Sequence, residues 1–402
     1  MNRKSINSNV VYNKLPMILI IVGLYNILFQ YIGLNYVYIY IYLVGILWSL
    51  GRRFTKPSLM DFFVLLYIML VIISTLFFIL IFHADAETPL ISSLLYILPV
   101  LFWFLYYKTN RSFSFSNLIV SLKWYVFAIA LLGLVQYYIS PNLFGVLIST
   151  SNNIQWAIDN ESYKSFFRAT SILGSPQIYG AFISLYLVLY SISIKNTNSK
   201  IGIKNTLYMI FLLIAGAHSG NKSFFAVLII YILYLLYKNK FFIQTVVLLG
   251  IVIFLINKFQ DSTPFLQRIF FNEELIQSES ERITIWRDAF LNLKIFGDGP
   301  GSWSNTSFNL GNEVVESYLL QILSELGVLT FISFIILIIS NLLRIRNSKF
   351  WISFITCVFI MIIVHVFNNP SFILFWGVCL YGIYTDNTQS YYEKPSPNKF
   401  SS

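Results

Sequence analysis

Two arginines in the stretch SESERITIWRDAFLNLKIFGDGPGSW, Arg282 and Arg287, are the residues of this chain best suited to hold an anion. A guanidinium presents a planar fork of donors that binds a phosphate or diphosphate bidentately, which an ammonium group cannot match. Five positions apart, they fall about 500° around a helix and so on different sides of it. A solvated interfacial helix would carry such arginines equally well, and the spacing alone leaves both readings open. The stretch runs on through Gly297, Asp298, Gly299, Pro300 and Gly301. Alternating glycines let a backbone approach a ligand closely, or simply turn tightly. The pattern is no phosphate-binding or dinucleotide fingerprint, because no strand precedes it and no Lys-Ser/Thr follows.

Two carboxylates come next, Glu316 and Glu325, at the start of the following apolar run. Nine positions turn a helix by about 900°, which puts them on opposite sides and in different roles. Glu316, at the water boundary, can act as a simple N-terminal dipole partner or accept a proton from a hydroxyl. Glu325 lies deeper, where an ionisable side chain costs roughly 2.5 to 3.5 kcal/mol, so it needs a buried partner; a helix-packing ion pair is the expectation. Arg168 and Lys222 are further cations beside apolar walls, and Lys123 lies within a span; for each a snorkelling anchor is the default. His218 and His365 show no metal-ligand spacing, and Cys357 and Cys379 lie inside apolar runs without a disulfide or zinc pattern. Neither a metal nor a cofactor is expected.

The elements that must position these groups are membrane helices. Of 402 residues, 57% are hydrophobic, 18% aromatic and 11% charged, which describes a polytopic membrane protein, and one integral domain over 1–402. At roughly 20 apolar residues per crossing, about twelve spans are expected. They read as 16–31, 34–50, 60–82, 90–107, 118–139, 177–194, 206–219, 222–237, 241–258, 315–343, 350–367 and 371–384. The first continues past signal-peptide length without a cleavage site and reads as a retained span. The net charge of +10 comes in short clusters between apolar runs, with no continuous patch for nucleic acid. Eighteen of the 27 Lys and Arg, such as Arg52/Arg53/Lys56 and Lys108/Arg111, fall on alternate loops, which places both termini in the cytoplasm. The carboxylates collect on the other side, where a large polar loop, 259–313, and a smaller one, 140–176, face outward. In the large loop, Ser278 with Glu281 reads as a capping box opening a helix from Glu279 to about Phe296. Its stripe is Ile283, Trp286, Phe290 and Leu293, packed on the membrane surface or neighbouring helices, and Gly297 is its stop.

In order and content these segments resemble the O-antigen polymerase and O-antigen ligase superfamily of bacterial envelope glycosyltransferases, whose polymerases are called Wzy-type. RATSILGSPQIYG looks like the family's arginine-then-proline lead into a middle span, and SGNKSFF like its basic turn. RITIWRDAF followed by GDGPG looks like its loop helix and glycine turn, and ESYLLQILSELG like its re-entry helix. The likeness covers roughly residues 165 to 330; the first four spans match only in hydropathy. Ligases of the family typically carry His where this chain has Glu316, and commonly Arg where it has Lys222, which favours a polymerase.

The resemblance implies an all-α, GT-C-like membrane fold in the bacterial cytoplasmic membrane. It implies that Arg168, Lys222, Arg282 and, with them, Arg287 bind the diphosphate of an undecaprenyl-linked oligosaccharide, and that Glu316 stands beside the acceptor hydroxyl. The activity implied is polymerisation of lipid-linked repeat units into O-antigen or capsular polysaccharide, inverting and metal-independent. The lipid bilayer, a chain-length regulator and a flippase are the partners in view. A ligase-type transfer is the alternative within this chemistry, and a lipid-linked oligosaccharide flippase the alternative outside it; a transporter should show repeat symmetry and midplane charges, and neither is visible here.

Overall fold

A computed structural model of the chain describes residues 3–31, 36–82, 87–110, 113–139, 169–197, 202–239, 273–303, 315, 317–345, 350–364 and 369–381. Among these, all regular structure is helical. The helices are α1 Arg3–Leu24, α2 Asn26–Tyr31, α3 Val37–Leu50, α4 Leu59–Phe82, α5 Glu87–Thr109, α6 Phe115–Ser121 and α7 Lys123–Tyr138. They continue as α8 Pro176–Thr197, α9 Ile203–Ala217, α10 Lys222–Asn239 and α11 Glu273–Leu291. The last three are α12 Tyr318–Ile345, α13 Trp351–Ile363 and α14 Pro370–Tyr381.

Four of the described helices are long and apolar enough to cross a membrane: Leu59–Ile81, Glu87–Thr109, Pro176–Ile194 and Tyr318–Ile345. A fifth crossing forms if α6 and α7, bent by 44° to each other, make one span. Several shorter apolar helices accompany them. In α8 89% of the span is buried, against 39% in α4. The first is therefore the centre of the bundle, packed on α6, α9, α10 and α13, and the second is a peripheral helix with one side bare.

Hydropathy located these helices but missed features that polar contacts decide. The first helix begins at Arg3 and carries Pro16 inside it rather than at its start, because hydropathy marks the onset of lipid-soluble sequence and not of helix. The expected fifth span breaks at Leu122. At the break the Lys123 ammonium lies 4.9 Å from the Tyr208 ring centre and 5.6 Å from that of Trp124, with Asn205 Oδ1 at 3.5 Å. An aromatic setting of this kind holds a cation by the ring quadrupoles. Lys108, read above as a topology charge, is in fact buried: its Nζ lies 2.6 Å from Asp61 Oδ2 and donates to the Lys56 carbonyl at 2.7 Å, tying α5 to α4. The expected span 241–258 and the loop portions 140–168, 259–272 and 304–314 lie outside the described residues.

Candidate functional site

The loop helix α11 starts at Glu273 and ends at Leu291, so it is displaced toward the N-terminus of the expected Glu279–Phe296. Ser278 lies inside it and is no cap, since EELIQS upstream is itself helix-forming sequence that carries the helix past a motif able to start one. Gly297 is not its stop either. The chain leaves the helix at Asn292 and bends at Ile295 and Phe296, after the Lys294 carbonyl has accepted a bond from Val328 N of a neighbouring helix.

That neighbour is α12, which is not a continuous α-helix. Ser317 caps it in extended conformation, a π turn spans Ile322–Leu326, and Gly327 breaks it with φ of +83°. The angular count from Glu316 to Glu325 therefore does not hold, because the helix begins only after Ser317 and then changes its period. A break frees carbonyl and amide groups that must be satisfied inside the protein. Here the glycine turn satisfies them. Asp298 N donates to the Ser324 carbonyl at 2.8 Å, Gly299 N to the Glu325 carbonyl at 2.9 Å, and Val328 N to the Lys294 carbonyl at 3.1 Å. The approach is close enough to require glycine: a Cβ on Gly297 would stand 2.3 Å from the Glu325 carbonyl oxygen, and Gly297 itself has φ of +72°.

The Glu325 side chain completes the clasp. It is fully buried. Its Oε2 accepts from Gly301 N and from the Tyr96 hydroxyl, each at 2.8 Å. Its Oε1 accepts from Gln321 Nε2 at 2.9 Å and Trp303 N at 3.1 Å. The expected ion pair is therefore corrected: the buried partner is a set of four neutral donors, two of them backbone amides of the glycine turn. From α4, the Ser74 hydroxyl donates to the Phe296 carbonyl at 2.6 Å, and Gly299 lies directly against the Phe78 ring. Asp298 pairs with Lys294 and accepts from the Trp303 indole at 2.9 Å. Its carboxylate thus locks the turn from within.

A small apolar cluster joins the same parts. Ala289 of α11, Val315, and Leu320 and Leu323 of α12 are buried together, with Ile285, Trp286 and Trp303 against them. The inner face of the loop helix is thus Ile285, Trp286 and Ala289. Of the expected stripe only Trp286 faces inward, while Ile283, Phe290 and Leu293 are exposed. The residues flanking Glu316 are fixed to this unit: Val315 and Ser317 are buried, and Val315 N donates to the Trp303 carbonyl at 3.1 Å. Glu316 itself lies outside the described residues, as does Arg168. Arg282 is half-exposed. Arg287 is exposed, its Nε 3.7 Å from Asp288 Oδ1. The Trp286 indole N–H, one turn from Arg282, is buried and donates to no group among the described residues.

A second assembly joins the residue after Arg168 to the turn before Lys222. Gln136 of α7 accepts from Ser171 N at 2.8 Å and Thr170 N at 3.0 Å, shaping the turn that follows Arg168 in the chain; Ser171 holds φ of +51° there. Ala169 N donates to the His218 carbonyl at 2.9 Å, four residues before Lys222. Asn221 caps α10 through Ser223 N at 3.0 Å and donates to the Gln177 carbonyl at 3.1 Å. Lys222 is exposed at the first position of α10. The described chain that begins at Ala169 and the turn that leads to Lys222 are therefore neighbours. His218 accepts or donates at 2.7 Å with the Tyr138 hydroxyl, a packing role. No group of three His, Cys, Asp or Glu among the described residues could hold a metal ion. Sequence reasoning missed Gln136, Tyr96 and Gln321, whose only signal was a polar group inside an apolar run, and the two amide partners of Glu325, which had none.

The described parts define an all-helical protein whose longest helices are apolar enough for a membrane, with a loop docked into a broken helix. No protein-family model matches the chain, and no curated protein sequence matches it.

Proposed function

We propose that the chain is a membrane glycosyltransferase of the O-antigen polymerase type, with about twelve spans in a GT-C-like arrangement on the usual crossing length. It would join undecaprenyl-diphosphate-linked repeat units into O-antigen or capsular polysaccharide on the outer side of the bacterial cytoplasmic membrane. The observation that carries this reading is the single rigid unit formed by the loop helix with Arg282, the glycine turn, and the start of α12 beside position 316. Helices α4 and α5, far away in sequence, hold this unit through Ser74 and Tyr96, and pre-organised charge is what transfer from a diphosphate donor requires.

In this reaction the acceptor hydroxyl oxygen bonds to the anomeric carbon as the bond from that carbon to the diphosphate oxygen breaks. Glu316 takes the hydroxyl proton, and attack from the face opposite the leaving group inverts the centre. Arg282, with Arg168 and Lys222 from the second assembly, stabilises the charge growing on the diphosphate; Arg287 lies on another side of the same helix. The Trp286 indole N–H, one turn from Arg282 and without a partner among the described residues, supports a polar ligand at that seam. The test is incubation of purified protein with synthetic lipid-diphosphate repeat units. A ladder of oligomers is the expected product, absent in Arg282→Ala. Translocation without a ladder would make the protein a flippase, and a single transfer to a lipid core would make it a ligase.

A further inference from the structure

The outward face of the loop helix has no protein partner among the described residues, and its composition is unusual for a water-exposed helix. Ile283 is 66% exposed, Phe290 54% and Leu291 75%, and beyond the helix end Ile295 is 63% exposed. With Arg287 they follow the spacing i, i+4, i+7, i+8 of one helical side, opposite the Ile285 and Ala289 face that packs on α12. We propose that this side rests in the phospholipid leaflet on the loop's own side of the membrane, its apolar residues in the acyl boundary and Arg287 on lipid phosphate.

Continuity with the lipid-facing surface of α4 argues for this occupant. Phe296 packs on Phe77 with ring centres 4.8 Å apart, and Phe77 belongs to the bare side of α4 with Ile73, Leu76 and Leu80. The contacts of the loop fall at Ser74, Phe77 and Phe78, four to eight residues before α4 ends at Phe82. At 1.5 Å per residue that is roughly 6 to 12 Å inside the end of a crossing helix. An amphipathic helix lying in the interface buries its apolar side roughly 5 to 10 Å deep, so the turn that directly follows α11 meets α4 at a level that suits such a helix. The charge agrees as well. Arg287 is the only cation on that side of α11 among its described side chains, and Asp288 is turned about 100° further round. The inference concerns lipid contact alone and does not depend on the glycosyltransferase reading.

The test uses the full chain in phospholipid vesicles with a nitroxide on single cysteines introduced by Phe290→Cys, Leu291→Cys and Asn292→Cys. The two native cysteines are buried, and the unaltered chain serves as the labelling blank. Collision with oxygen, which concentrates in lipid, and with a nickel chelate, which stays in water, is compared by electron paramagnetic resonance. Labels at 290 and 291 are expected to favour oxygen and report immersion of roughly 5 to 10 Å, while 292 favours nickel. In Arg287→Ala the immersion at 290 should change. Nickel preference at 290 and 291 equal to that at 292 would overturn the docking, and unchanged immersion in Arg287→Ala would remove the arginine from it.

Discussion

Replacing Glu325 with Gln changes one atom in the clasp between the glycine turn and α12, and its cost can be worked from the four donors. The carboxylate accepts two hydrogen bonds on each oxygen, from Gly301 N and Tyr96 Oη on one and from Trp303 N and Gln321 Nε2 on the other. A glutamine must place its NH2 group against one of these pairs. The better choice faces Tyr96, whose hydroxyl can turn to accept, which leaves Gly301 N unpaired. An orphaned buried amide costs about 1 to 3 kcal/mol, and the remaining bonds lose the strength a charged acceptor gives them, for a total of about 3 kcal/mol. That is roughly a hundredfold in the equilibrium for opening the clasp. Hydrogen exchange read by mass spectrometry should show residues 299–303 exchanging faster by about that factor, with the central helix α8 unchanged. Glu325→Ala, which strands all four donors, should be worse, and Tyr96→Phe intermediate. An unaltered exchange rate across 299–303 in the glutamine variant would refute the account of what holds the turn.

Gly327→Ala should lower the melting temperature in detergent, because its Cβ would meet the Ile295 carbonyl oxygen at 2.2 Å with φ at +83°; the strain is about 1 to 3 kcal/mol. Gly202→Ala, with nothing within 4 Å, is the control that should not. Lys108→Ala strands the Asp61 carboxylate in a site where the pair's side chains are 6% and 10% exposed. It should cost about 3 to 5 kcal/mol in thermal or denaturant stability, and adding Asp61→Asn should recover much of it. For Glu316, the glutamine variant should fail in the oligomer-ladder assay and the aspartate variant retain part of the yield; full yield with glutamine would remove it as the base.

Apolar runs were legible in the sequence because lipid solubility is a local property of side chains, and α4 at Leu59–Phe82 and α8 at Pro176–Thr197 fall within a few residues of expectation. The breaks were not. The bend at Leu122, the π turn at Ile322–Leu326 and the early start of α11 depend on which backbone groups find partners elsewhere in the chain. Glu325 shows the limit most clearly. That it needed a buried partner followed from the cost of its charge, but two of the four partners are main-chain amides, which carry no residue signature. The pairing of Asp61 with Lys108 joins residues in different helices, and the local view saw only a basic cluster at a loop. That Arg282 and Arg287 lie on different sides of a helix was legible, since a period of 3.6 residues alone separates them.

The bond from Val315 N to the Trp303 carbonyl, at 3.1 Å, ties together the two described residues that flank 304–314. An excursion pinched at its neck can lengthen or shorten without transmitting force to the helices below, and each doubling of its length costs only about 0.6 kcal/mol in closure entropy. A reporter spliced between Trp303 and Val315 should therefore leave the anchored scaffold untouched.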